Sequence, residues 1–195
     1  MQKIILASQS PRRKQLLEWA EVPFEILVKE TDESYPENLS TADIAIYIAR
    51  NKALAVSQQL LNGFVTLQKF TSNTILAADT IVVLENRIIG KPTDRADAIS
   101  ILTALSGKQH RVITGVVILH GGDEIAFAET TQVHFHELSL AQIEFYVDNY
   151  KPYDKAGAYA IQEWIGVVGI KYVVGDFYNV MGLPVSRVVQ ILQNL

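Results

Sequence analysis

Residues 74–84 form an almost continuous apolar run. Ile75-Leu76-Ala77-Ala78 and Ile81-Val82-Val83-Leu84 are separated only by Asp79-Thr80. A run of this length and composition reads as a strong strand through a core. A carboxylate inside it is costly to bury unless it is paired, hydrogen-bonded or bound to a metal. The run therefore predicts a sheet with a functional carboxylate, Asp79, set into one of its strands.

A second signal lies near the N-terminus. Ile4-Ile5-Leu6 reads as a buried strand, Ser10 as a helix cap and Pro11 as the first helical residue, where its missing N–H costs nothing. Leu16, Leu17 and Ala20 supply that helix's apolar face. The start of a helix presents free N–H groups and a positive dipole end. Ser8, Ser10, Arg12, Arg13 and Lys14 stand at the same place. Phosphate binding is one reading of this strand–turn–helix; a capped helix with a solvated basic first turn is the other.

The remaining elements follow from pattern. Residues 24–28 read as a strand. Glu30, Asp32, Glu33 and Glu37 surround Pro36 in an acidic loop, which suits either solvent or a hard cation. Ser40-x-x-Asp43 resembles a capping box and opens a helix to Leu61, with Arg50 and Lys52 in its middle. Residues 63–73 read as a loop or insertion. Glu85-Asn86 turns the chain into a strand over 87–89, and Gly90-Lys91-Pro92 follows, a close-approach glycine beside a point charge suited to phosphate. Thr93 is expected to cap a helix over 94–106. Residues 112–119 and 124–136 read as strands joined by a hairpin over 120–123. In the second of them Thr131, Val133 and Phe135 alternate with Gln132, His134 and His136. The two histidines share a face, but no third zinc ligand lies near them in the sequence. Ser139-x-x-Gln142 opens a helix through Tyr150, residues 151–162 form a polar loop, 164–174 an apolar strand and 175–182 a loop. Pro184 starts the last helix. The expected fold is α/β: a mixed, elongated central β-sheet flanked by helices, with two lobes around a cleft.

The 195 residues carry a net charge of −4 and no cysteine. The acidic balance argues against a generic nucleic-acid binder, and the missing cysteines exclude disulfides, thiol nucleophiles and cysteine metal sites. Lys3 is followed by only four apolar residues before Ser8, so no secretory signal is read, and no run is long enough to span a membrane. A cytoplasmic location is expected. No GxxxxGK[ST], GxGxxG or GxSxG pattern occurs. The phosphate-suited groups (Ser8, Ser10, Arg12, Arg13, Lys52, Lys91) and the carboxylates (Asp32, Glu33, Asp79, Asp154) together suit a metal-bound polyphosphate. The economical chemistry is water attack on phosphorus, with a carboxylate as general base.

Several segments are similar, in order, to the Maf family of nucleoside triphosphate pyrophosphatases. They are Ser8-x-Ser10-Pro11-Arg12-Arg13, Asp32-Glu33, Lys52-Ala53, Ala78-Asp79-Thr80, Lys91-Pro92, Ser106-Gly107-Lys108-x-His110-x-Val112-x-Thr114-Gly115, Asp154-Lys155-Ala156-Gly157-Ala158-Tyr159-x-Ile161-Gln162 and Gly182-Leu183-Pro184. The resemblance spans the chain as one domain over 1–195. It implies an inosine triphosphate pyrophosphatase-like fold, hydrolysis of a nucleoside triphosphate to monophosphate and pyrophosphate with magnesium or manganese, and a homodimer. It implies that Asp79 is the proton acceptor, that an acidic residue, Glu33, lies in the cleft, and that Ser8, Arg13, Lys52 and Lys91 line the phosphate; Asp79, Lys52 and Glu33 are the residues expected to be catalytic. Glu33 and Asp79 are the expected metal ligands. Arg12, Thr80 and Gln162 match the subgroup acting on dTTP and UTP, and a glutamine amide can both donate to and accept from a pyrimidine edge. Two alternatives stay open: a non-catalytic nucleotide-binding regulator of septum formation, and a phosphatase or nucleotidyl-transfer enzyme.

Overall fold

The long apolar runs lie in one sheet. In the computed structural model, which describes residues 2–62 and 74–195, the strands are β1 (Ile4–Leu6), β2 (Phe24–Ile26), β3 (Ile75–Leu84), β4 (Arg87–Ile89), β5 (Gln109–His120), β6 (Asp123–Phe135) and β7 (Ile170–Val174). They make a seven-stranded sheet in the order β2-β1-β3-β5-β6-β7, with β4 paired to β3. β1 runs parallel to β2 and β3, whereas β3/β4 and β6/β7 are antiparallel. The expected mixed α/β sheet with flanking helices is therefore present. The loop read over 63–73 lies outside the described residues.

The helices are α1 (Pro11–Trp19), α2 (Thr41–Asn62), α3 (Arg95–Leu105), α4 (Leu140–Tyr150), α5 (Trp164–Gly169), α6 (Phe177–Met181) and α7 (Val185–Leu192). The chain divides into two compact units. The first comprises Met1–Asp79, Thr114–Glu129 and Gly182–Leu195; the second comprises Thr80–Ile113 and Thr130–Met181.

In the first unit, α2 buries Ile44, Ala45, Ile48, Ala49, Ala53, Val56 and Leu60. Small residues set how closely it lies on the sheet: Ala49 and Ala53 join Ile5, Ala7, Ile75, Ala77 and Val117 in one apolar cluster. Gly115 of β5 marks the tightest approach. A Cβ there would stand 2.2 Å from the Ala45 carbonyl carbon and 2.3 Å from the Ile46 nitrogen, so only glycine fits. At the start of α2 the Ser40 hydroxyl accepts from the Asp43 N–H at 3.2 Å, as the sequence predicts. The return half of the box differs, because the Asp43 carboxylate takes the Ser40 hydroxyl at 2.6 Å. Aspartate is one methylene shorter than the Glu or Gln of a full box.

In the second unit the predicted turns and caps are mostly present. Glu85 and Asn86 both have positive φ, 47° and 68°, in the two-residue turn joining β3 to β4. α4 carries a complete capping box between Ser139 and Gln142. Three expectations need correction. Asp94, not Thr93, caps α3 by accepting from the Asp97 N–H at 2.9 Å, while the Thr93 N–H donates to the Asp97 carboxylate. Residues 164–169 are helix α5, not strand; only Ile170–Val174 is extended. The run Ile165, Val167, Val168, Ile170 has strand propensity, but tertiary context overrides it. Gly166 sits so close to the Ile161 carbonyl oxygen that a Cβ would meet it at 1.7 Å. Finally, the expected loop over 175–182 contains α6, where the Asp176 carboxylate accepts from the Tyr178 and Asn179 N–H groups.

His110 is 2% exposed and lies edge-on to Phe135 and Tyr159. Its Nε2 bonds the Tyr159 hydroxyl at 2.7 Å, and its Nδ1 has no hydrogen-bond partner among the described residues. Burial, and secondarily the neighbouring His134, push its pKa down to about 4. The unfolded chain, with an ordinary histidine pKa of about 6.5, takes the proton first, so stability is lost as pH falls from about 6.5 to about 4. The expected loss from this group is about 3 kcal/mol. Urea unfolding between pH 7.5 and 4 should show a component of that size in the wild type that is missing from His110→Gln. Parallel pH curves for the two proteins would refute the assignment.

Candidate active site

The strand–turn–helix near the N-terminus builds the first part of the site. Ser10 caps α1, its hydroxyl accepting from the Arg13 N–H at 3.4 Å. This sets Arg13 on the inward side of the first helical turn, where it is 8% exposed. Arg13 Nη1 donates to Ser8 Oγ at 3.1 Å and Nε to the Gly182 carbonyl at 2.8 Å. Ser8 Oγ also accepts from the Ser10 N–H at 3.2 Å. Burial lowers the Arg13 pKa from its usual value; the charge of Asp79 opposes this, Arg12 adds to it and Glu33 opposes it. Guanidinium remains a cation under such shifts. Asp79 and Glu33 therefore lie within the electrostatic reach of a buried arginine.

Lys52 forms the second part. It projects from α2, and its Nζ stands 2.6 Å from Asp79 Oδ1 and 2.8 Å from Glu33 Oε1. Asp79 and Thr80 are the only residues of β3 that are not fully buried. The sequence conflict at Asp79 is resolved by this pairing. Glu33 comes from the acidic loop, and its neighbour Asp32 holds that loop by accepting from Ser34 N at 2.9 Å and Ser34 Oγ at 2.7 Å. These bonds, the hydroxyl's first, lower the Asp32 pKa. One ammonium thus joins a helix, a strand and a loop, and gathers the three residues expected to be catalytic.

Thr80, Lys91 and Gln162 belong to the second unit. Thr80 follows Asp79 along β3. Lys91 is exposed beside Gly90, whose carbonyl accepts from the Gly157 N–H at 3.0 Å. Gly157, at φ 73°, lies in the turn over Ala156–Ala158 against Val82. The same stretch leads to Gln162, which is exposed in the turn before α5. The loops bearing Lys91 and Gln162 are therefore tied together through Gly90 and Gly157.

Gly182 lies in a segment the sequence singled out, Gly182-Leu183-Pro184, but its carbonyl's hold on Arg13, 169 residues away in the chain, carries no local signal. Sequence reasoning missed Tyr146, which hydrogen-bonds Glu163 beside Gln162 and is an ordinary core position in the pattern of α4. The pair His134 and His136 does not become a metal site: His134 stacks on Tyr172 at 4.1 Å, and no group of three or more potential ligands forms among the described residues.

Arranged in this way, the first unit offers two carboxylates on one lysine close to a buried arginine and a helix start. Such a set suits a phosphate ester or anhydride and an attacking water. Comparison with known proteins agrees in kind. The family model described as Maf-like protein matches residues 3–195. The dTTP/UTP pyrophosphatase of Cytophaga hutchinsonii is 47% identical over 192 residues, covering 98% of this chain and 84% of that one. That of Porphyromonas gingivalis is 45% identical over 184 residues, covering 94% and 89%. That of Bacillus anthracis is 45% identical over 193 residues, covering 99% and 95%. Among solved structures, the Staphylococcus aureus Ham1 protein aligns with TM-score 0.42 and 14% identity, over 69% of this chain and 72% of that chain. A likeness at that level carries no part of the reading.

Arg13 serves two acceptors with two nitrogens of a planar fork. Lysine has one nitrogen and cannot reproduce that geometry. Arg13→Lys should lose at least one buried charge-assisted hydrogen bond and lower stability by about 1–3 kcal/mol. The measurement is the denaturation midpoint; a change below about 0.5 kcal/mol would show that the fork has no structural role.

Proposed function

Because the chain belongs to the Maf-like protein family, whose model covers residues 3–195, we propose that it hydrolyses nucleoside triphosphates to the monophosphate and pyrophosphate. The preferred substrates are dTTP and UTP, with modified pyrimidine nucleotides among them. The observation that supports this most directly is Lys52 held between Asp79 and Glu33, near the buried Arg13.

In this reading Asp79 accepts a proton from water as the water oxygen bonds to phosphorus. The anhydride bond to the neighbouring phosphate breaks, and pyrophosphate leaves. Lys52 fixes the Asp79 carboxylate and neutralises phosphate charge from the same position. Ser8, Ser10, Arg13 and Lys91 bind phosphate oxygens; Arg12, Thr80 and Gln162 choose the base. Glu33 and Asp79, hard oxygen donors of the kind magnesium or manganese takes, would hold such a cation, and it would supply stabilisation of the charge developing on phosphate. We further infer a cytoplasmic homodimer with the whole chain acting as one catalytic domain, taking a small-molecule nucleotide and no nucleic acid as partner.

Asp79→Asn should reduce kcat by about 10²–10⁴-fold, the range for loss of a general base, while nucleotide binding by calorimetry persists. Product analysis with UTP and magnesium or manganese should give UMP and pyrophosphate. UDP and orthophosphate would indicate a phosphatase instead, and no turnover of any nucleotide would favour a binding role. Gln162→Ala should lower kcat/KM for UTP more than for GTP. An unchanged UTP/GTP ratio would remove Gln162 from base selection.

A further inference from the structure

The turn carrying Gln162 is fixed from more sides than a surface turn needs. It is closed by the Glu163 N–H donating to the Ala160 carbonyl at 3.1 Å. Outside it stands Tyr146 of α4, which is fully buried. The Tyr146 hydroxyl accepts from the Ala160 N–H at 3.1 Å and donates to Glu163 Oε2. One phenol therefore clamps both ends of segment 160–163. Burial and the Glu163 contact raise the phenol's pKa, so it stays a donor. Glu163 is held in turn by Lys155, whose Nζ is 3.5 Å from Glu163 Oε1 and 2.8 Å from Asp154 Oδ1. Lys155 is 8% exposed, an unusual burial for an ammonium and one that needs such partners. Behind the turn, Gly166 gives its N–H to the Glu163 carbonyl at 2.9 Å and leaves room for the Ile161 carbonyl. Ala160 and Ile161 are each 5% exposed, yet the next residue, Gln162, faces solvent.

We propose that Tyr146, Glu163 and Lys155 are positioning residues that hold the 160–163 turn in one conformation and so determine how the Gln162 amide is presented to a nucleotide base. The proposal rests on Gln162 acting as the base reader. Hydrogen-bond readout by an amide depends on a fixed orientation, since donor and acceptor exchange places when it rotates. An exposed glutamine on a loose turn would recognise little. The Tyr146 clamp removes the freedom of the turn rather than adding a contact to substrate. The turn's support also continues through Lys155 to the Ala156–Ala158 turn, whose Gly157 N–H holds the Gly90 carbonyl next to Lys91.

The test compares kcat/KM for UTP and for GTP in the wild type, Gln162→Ala, Tyr146→Phe, Glu163→Ala and Glu163→Gln. Tyr146→Phe keeps the ring in the core and removes only the hydroxyl. Tyr146→Phe and Glu163→Ala should each lower the UTP/GTP ratio about tenfold, through UTP alone, with turnover of GTP unchanged. Glu163→Gln, which still offers an acceptor to Tyr146, should keep most of the ratio. Glu163→Ala, at a partly exposed position, keeps the test available if Tyr146→Phe does not fold. A ratio that collapses in Gln162→Ala but survives in Tyr146→Phe and Glu163→Ala would overturn the positioning role alone. Equal losses for UTP and GTP would mean a merely structural network and would also overturn it. A wild type without base preference, or an unaffected ratio in Gln162→Ala, would overturn the base-reading assignment and this inference with it.

Discussion

The Lys52 ammonium, set between Asp79 and Glu33, is the interaction on which the candidate site depends. It solves a local problem first, since it gives charge compensation to a carboxylate placed inside an apolar strand. Its net contribution to stability is small, because partly buried ion pairs lose in desolvation much of what they gain in attraction. Its consequence is geometric. Two like charges are brought onto one cation, and a helix, a strand and a loop thereby meet at one point.

The fold around that point is arranged to let α2 come close. Alanines at 45, 49 and 53 on its inner face and a glycine at 115 on the strand beneath remove side-chain bulk. Lys52 then reaches Asp79 with a short span of side chain. Arg13 shows the same economy. A serine cap and a proline start fix the first turn of α1, and the arginine on that turn is held by a serine hydroxyl and a distant carbonyl before any ligand arrives. Groups held in this way need little reorganisation when substrate charge appears, which is where electrostatic catalysis gains most.

The second unit uses the same means for a different end. Its polar network joins the buried Tyr146 to the partly exposed Glu163 and, through an ion pair, to Lys155, and it holds the backbone at Ala160. A fully partnered buried network rigidifies a segment; a partly partnered one costs more than an apolar core. Gln162 sits on the segment so held.

Local rules made much of this legible in the sequence. Ser10-Pro11, Ser139-x-x-Gln142, Glu85-Asn86 and the apolar runs of β1, β3, β5 and β6 specify their elements through capping, turn chemistry and period, all of which act within a few residues. The anomaly at Asp79 could likewise be found without coordinates, because an unpaired carboxylate in an apolar strand violates a local expectation. What local rules could not decide was anything set by a partner distant in the chain. Composition also misled within short stretches: residues 164–169 have strand composition but form helix α5, and Asp94 rather than Thr93 caps α3, Thr93 giving its N–H to the Asp97 carboxylate four residues on. Arg13 and Arg12 are adjacent and chemically alike, yet only Arg13 is buried against Gly182. The sequence by itself determined which residue types were available for phosphate chemistry and on which kinds of element they lay. Only the tertiary structure decided which of them meet, since hydrogen bonds and ion pairs between residues 5 to 169 positions apart depend on how the elements pack and leave no periodic trace in the chain.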